Sequence, residues 1–102
     1  MISHAVLFKR AKGVDDAGLA KVFSTLKDLQ LSIPGILNIT TGINCSPEGL
    51  QRGYTHAFTV DFVDAEARDV YLPHPAHQKV GAMIVAATEG GIDGILVLDW
   101  EV

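Results

Sequence analysis

Two stretches of the chain alternate apolar and polar residues with the period of a half-buried strand. Residues 2–9 put Ile2, His4, Val6 and Phe8 on one face and Ser3, Ala5, Leu7 and Lys9 on the other. Residues 54–62 alternate more cleanly, with Tyr54, His56, Phe58, Val60 and Phe62 opposed to Thr55, Ala57, Thr59 and Asp61. Two more strands are predicted, one at 36–45, rich in Ile and Thr, and one at 94–100, Gly-Ile-Leu-Val-Leu-Asp-Trp. Between them the apolar period lengthens to that of a helix. Leu19, Val22, Phe23, Leu26 and Leu29 form one stripe, which Asp15 or Asp16 can cap and which ends near Leu31, before Ile33-Pro34-Gly35. Asp64 can cap a short helix ending near Leu72, because Pro73 disfavours helical backbone in the residue before it. Pro75 suits the first position of a further helix, which carries Ala76, Val80, Met83, Ile84 and Ala87 on one side and stops at Gly90-Gly91.

The order strand, helix, strand, strand, helix pair, strand is that of the split βαβ, ferredoxin-like, α+β fold. It predicts a four-stranded antiparallel sheet with the helices on one face. The first and third strands are expected to be parallel neighbours at its centre. The last strand is apolar on both sides apart from Asp99, so the face without helices needs another layer. A second copy, packed sheet to sheet, would supply it and make a homodimeric α/β barrel. A mean hydropathy of +0.26 is high for so small a chain and points the same way.

The totals narrow the function. A chain of 102 residues forms one domain, 1–102. The net charge of −4 and the acidic pI of about 5.4 argue against nucleic acid or an anionic membrane as partner. No apolar run reaches membrane-spanning length. Cys45 is the only cysteine, so no intrachain disulfide forms, and Met1-Ile2-Ser3-His4 does not open a signal peptide. A cytoplasmic protein is expected.

Candidate chemistry concentrates in Tyr71-Leu72-Pro73-His74-Pro75-Ala76-His77. The prolines hold a phenol and two imidazoles on a stiff link. His77 falls in the first turn of a helix, whose positive end disfavours an imidazolium, so it suits a general base. Tyr71 can donate a hydrogen bond to a carbonyl or enolate oxygen. The plainer alternative is a rigid helix–helix corner pinned by His77 and packed by Tyr71. His4 and His56 are each the third residue of a predicted strand. With those strands parallel, both imidazoles lie near one end of the sheet, on a face shared with Phe8, Phe58 and Val60. That is the make-up of a small-molecule pocket, although each histidine is equally read as a hydrogen-bonded core residue. His74 and His77 have a metal-like spacing, but Pro75 separates them and no acidic or Cys ligand completes a set. No phosphate loop, nucleophile elbow or cofactor motif is present, so no metal and no cofactor is expected.

Taken in order, these residues resemble the stress-responsive A/B barrel (Dabb, dimeric α/β-barrel) family over nearly the whole chain. The resemblance runs through His4-Ala5-Val6 with Phe8-Lys9, Ile33-Pro34-Gly35-Ile36, Gly42, Asn44 and Ser46. It continues through Gly53-Tyr54-Thr55-His56, Val60-Asp61-Phe62, and Tyr71 with His74-Pro75-Ala76-His77. It implies a sheet-to-sheet dimer and a pocket between each sheet and its helices. One branch of the family is a plant polyketide cyclase, in which a Tyr and a His drive aldol closure of a poly-β-keto thioester. Those positions match Tyr71 and His77, and its pocket histidines match His4 and His56. Some plant members hold a magnesium ion on backbone carbonyls after the first helix, at positions matching Gln30, Ile33 and Ile36.

Three functions compete. The first is a pocket with His77 as base, Tyr71 as donor, and His4, His56, Phe8 and Phe58 binding a small molecule. Its reaction would be a cofactor-free lyase, cyclase or isomerase step beside a carbonyl. The second is a non-enzymatic stress-response or assembly protein. The third is a cofactor-free monooxygenase of the related dimeric barrels.

Overall fold

Local signals start and stop most elements close to where the pattern places them. In the computed structural model, which describes residues 1–102, β1 spans Ile2–Phe8, α1 Asp16–Ser32, β2 Ile36–Ile43 and β3 His56–Phe62. They are followed by α2 at Ala65–Tyr71, α3 at Pro75–Ala86 and β4 at Ile95–Glu101. Asp15 Oδ1 accepts the Gly18 N–H at 2.7 Å and starts α1, and Asp64 Oδ1 accepts the Ala67 N–H at 2.9 Å and starts α2. Pro75 opens α3 as predicted, behind His74, whose Nδ1 accepts the Ala76 N–H at 3.1 Å. The differences also have local causes. β3 starts at His56 rather than Tyr54, whose N–H donates to the Gln51 carbonyl and closes a turn. A 3-10 turn over Gly91–Gly94 delays β4 to Ile95.

The sheet order is β2-β3-β1-β4, and every neighbouring pair is antiparallel. The expectation that β1 and β3 run parallel is therefore wrong, although they are central neighbours as predicted. The connections explain why. The α1 crossover returns the chain so that β2 runs in the direction of β1. The hairpin from β2 then reverses it, and β3 must oppose both.

The reversal moves a residue pair that the sequence reading had placed together. His4 lies opposite Val60, whereas His56 lies opposite Phe8. The two histidines share a face, since directly paired residues do, but they sit at opposite ends of it. Four residues of strand separate them, about 13 Å at the usual rise. Val6 and Phe58, a directly paired couple, lie between.

That face meets the helices and holds the core. Phe8, Leu26, Ile33, Val60, Phe62, Tyr71 and Val80 are fully enclosed there. Gly35, at φ 90°, lets the chain leave α1 and enter β2, and a Cβ on it would stand 2.6 Å from the Ala67 Cβ of α2. On the opposite face, Leu96, Leu98 and Trp100 of β4 are 46%, 65% and 48% exposed beside Ser3, Ala5 and Leu7 of β1.

Candidate functional site

At the His4 end, three ring-bearing residues come together from separate elements. His4 projects from β1, Tyr71 is the last residue of α2, and His77 lies in the first turn of α3. Pro73 ends one helix and Pro75 starts the next, so only three residues separate the two and the corner is stiff. The Tyr71 and His77 rings are 4.1 Å apart between centroids at an interplanar angle of 36°. Tyr71 also meets Phe62 edge-on at 4.9 Å and His4 edge-on at 6.0 Å.

Hydrogen bonding settles the tautomer of His77. Its Nδ1 lies 2.9 Å from the Leu72 carbonyl oxygen. A carbonyl only accepts, so Nδ1 carries the proton and a neutral ring keeps its lone pair on Nε2. Burial lowers the His77 pKa below the ordinary 6.5; the Leu72 hydrogen bond opposes it and the His4 and His74 charges reinforce it, with burial the largest of these. The ring is thus neutral at physiological pH, as a base must be. Burial likewise pushes the Tyr71 phenol up, so it stays protonated. Tyr71 is 1% exposed, and its hydroxyl has no hydrogen-bond partner within the chain. A protonated donor and a neutral acceptor therefore stand side by side.

Both readings of the corner have physical support. His77 does pin it, through Leu72, but Gln78 Nε2 donates to the same carbonyl at 3.0 Å. His74 is used as the cap of α3, which occupies its Nδ1. No group of three or more His, Cys, Asp or Glu side chains is arranged so that it could hold a metal ion. At the corner after α1, Gln30 gives its side-chain N–H to the Leu37 carbonyl at 3.0 Å. That bond involves the Gln30 side chain and not the backbone carbonyls of Gln30, Ile33 and Ile36 that would hold a magnesium ion, and no step is derived through one.

His56 belongs to a different neighbourhood. Its ring stacks on Phe8 at 5.7 Å and tilts against Phe23 at 6.2 Å. Its Nδ1 meets Thr55 Oγ1 at 2.8 Å, and its buried Nε2 has no partner. Burial and the charge of Arg10 lower its pKa. The histidine pair expected to converge thus divides, His4 joining Tyr71 and His77 while His56 stays with Phe8. Phe58 is buried between the two ends.

Two cavities lie at the His56 end. One of about 270 Å³ runs between α1 and the β2 edge, lined by Leu19, Phe23, Ile43 and His56. The other, about 530 Å³, lies mainly on the outer sheet face beneath the loop between β2 and β3, along Leu7, Thr40, Thr59 and Leu96. Neither is lined by His4, Tyr71 or His77.

Two charged residues at the His4 end were not singled out as site residues. Asp99 Oδ1 lies 2.7 Å from His4 Nδ1, and Arg68 Nη1 donates to Asp99 Oδ2 at 3.2 Å. The sequence carried one clue, an acidic residue alone in an otherwise apolar strand.

Fold and helix-face cluster together define an α+β ferredoxin-like protein of the kind that forms dimeric barrels. The chain belongs to the stress responsive A/B barrel domain family, whose model matches residues 2–102. It is 28% identical over 100 residues to the stress-response A/B barrel domain-containing protein HS1 of Arabidopsis thaliana, covering 98% of this chain and 88% of that one. It is 28% identical over 80 residues to olivetolic acid cyclase of Cannabis sativa, covering 78% of this chain and 79% of the cyclase. Among solved structures, a dimeric ferredoxin-like protein of unknown function from Jannaschia sp. CCS1 superimposes with a TM-score of 0.90 at 33% identity. That match covers 99% of this chain and 98% of the other.

Proposed function

We propose that this chain is a homodimeric, cytoplasmic barrel protein whose Tyr71–His77 pair performs cofactor-free acid–base chemistry beside a carbonyl. His77 Nε2 takes a proton from the carbon next to the carbonyl. The Tyr71 hydroxyl donates to the oxygen on which the negative charge develops. The resulting enolate can close on a second carbonyl, expel a leaving group or be reprotonated, the outcomes of a cyclase, a lyase and an isomerase. The observation that carries this reading is the 4.1 Å Tyr71–His77 pair with the His77 Nδ1 committed to Leu72. Olivetolic acid cyclase among the relatives supports the reaction class. Phe8 and Phe58, on the face that leads away from His4 toward His56, are enclosed in the core and would support the site by packing rather than by touching a bound molecule.

The dimer half of the proposal rests on the outer face. Leu96, Leu98 and Trp100 form an apolar edge strand that a second sheet would cover, and relatives of this fold are described as dimeric.

The test is His77→Ala. The Leu72 carbonyl keeps its Gln78 donor in the variant, so the melting temperature and subunit count should hold while α-proton exchange of a ketone is lost. A variant that unfolds would instead make His77 a structural pin. A second reading, a non-enzymatic stress or assembly protein, is favoured by one observation: the two cavities at the His56 end do not reach Tyr71 or His77. Native mass spectrometry of the purified protein separates the two. A co-purified carbonyl compound supports the first, and an empty, very stable assembly supports the second.

A further inference from the structure

Register places Asp99 of β4 directly opposite His4 of β1. Its two carboxylate oxygens have different partners: Oδ1 lies 2.7 Å from His4 Nδ1, and Oδ2 accepts from Arg68 Nη1 at 3.2 Å. Arg68 is itself held by a second bond, from Nε to Asp69 Oδ1 at 3.1 Å. Rotating the Asp99 carboxylate would break one bond or the other, so its plane is fixed from both sides. A carboxylate accepts and does not donate, so the proton of a neutral His4 ring sits on Nδ1 and the lone pair on Nε2. His4 is 5% exposed and its ring meets Tyr71 edge-on, inside the cluster that the chemistry would use.

We propose that Asp99, held in place by Arg68, is a positioning residue that fixes His4 in the tautomer with a free Nε2 lone pair. The chemical use of that lone pair rests on the acid–base reading of Tyr71 and His77. The tautomer does not. With it fixed, the site offers a ligand one donor, the Tyr71 hydroxyl, and two acceptors, His4 Nε2 and His77 Nε2. The ligand it fits presents a carbonyl oxygen to the tyrosine and a hydroxyl or enol hydrogen to His4. Carboxylates and phosphates are disfavoured, because the one guanidinium here is already matched by two carboxylates, Asp69 and Asp99.

The experiment reads the His4 ring in the 15N-labelled full-length chain by long-range 1H–15N correlation, at roughly pH 8, above the ordinary histidine range. In the wild type His4 should be protonated on Nδ1. A charge-assisted bond of this kind biases the tautomer ratio by roughly tenfold or more. Asp99→Leu should remove that bias. Asp99→Asn, which keeps an acceptor oxygen without the charge, should leave it intermediate, and Arg68→Met should weaken it. An unchanged ratio in Asp99→Leu overturns the proposal. If that variant does not fold, wild-type ratios in both Asp99→Asn and Arg68→Met overturn it instead. Exchange of a simple methyl ketone on the same samples keeps the two readings apart. A tautomer that follows Asp99 with no ketone exchange sustains the positioning role and sinks the acid–base reading. Intact exchange with an unchanged tautomer does the reverse.

Discussion

Replacing Tyr71 by Phe separates what the ring does from what the hydroxyl does. The ring is 1% exposed and packed by Phe62 at 4.9 Å and His77 at 4.1 Å, so truncating it to Ala opens a cavity in the core. That truncation should cost about 3–5 kcal/mol. The hydroxyl makes no hydrogen bond within the chain, so Tyr71→Phe breaks no pair and should cost less than about 1 kcal/mol. Its chemical effect should be far larger. Loss of one donor to a developing oxyanion lowers a rate by roughly 10²–10³-fold, or about 2.7–4 kcal/mol of barrier. Urea unfolding measures the first quantity. Deuterium incorporation at the α-carbon of a methyl ketone, followed by 1H NMR, measures the second. Exchange at the wild-type rate in Tyr71→Phe would refute the donor role. A stability loss above about 2 kcal/mol would show that the hydroxyl has a structural partner.

Gly35→Ala should destabilise the fold by about 1–3 kcal/mol in chemical denaturation, because its φ of 90° and the Ala67 Cβ at 2.6 Å leave no room for a methyl group. Leu98→Asp puts a charge on the exposed outer face and should convert a dimer of 10.9 kDa chains to monomer in analytical ultracentrifugation; an unchanged mass would clear that face of the interface. Burial lowers the His56 and His77 pKa values below their ordinary 6.5, so between 6.5 and those values the unfolded chain binds more protons. Stability should be level above 6.5 and fall as pH drops through that window, and His56→Leu should flatten the fall in a pH series of melts.

Periodicity made most of the fold legible because each element carries its own signal. The strict alternation of β1 and β3, the Leu19–Leu29 stripe, the aspartate caps and Pro75 all act within a few residues. Relative strand direction is not local. It follows from which way the α1 crossover and the β2–β3 hairpin turn the chain, and an error there misplaced His56 by the length of a strand while leaving its face correct. The closeness of Tyr71 and His77 was legible because the prolines that mark them also set their geometry. The contacts of Asp99 and Arg68 were not legible because they depend on pairing across the sheet. Asp99 gains a partner only when β4 lies beside β1, and Arg68 only when α2 reaches the same edge.

The two ends of the helix-facing sheet surface differ in a way that bears on where chemistry occurs. Acid–base work needs a ring with one nitrogen committed and the other available, in a place a ligand can reach. His77 meets this on a partly exposed helix turn, with Nδ1 held by a backbone carbonyl that cannot itself change protonation. His4 meets the first half through Asp99. His56 is held by a hydroxyl, Thr55 Oγ1, which both donates and accepts, so its tautomer is not dictated by that partner. Its Nε2 is buried without a bond, which costs about 1–3 kcal/mol in a group that does only structural work. That cost falls beside the 270 Å³ cavity, where a ligand group able to pair with Nε2, a donor or an acceptor according to the tautomer, would offset it. Under the proposed function, proton transfer would fall to the Tyr71–His77 corner and recognition to the His56 end, with the buried Val6 and Phe58 packed between them.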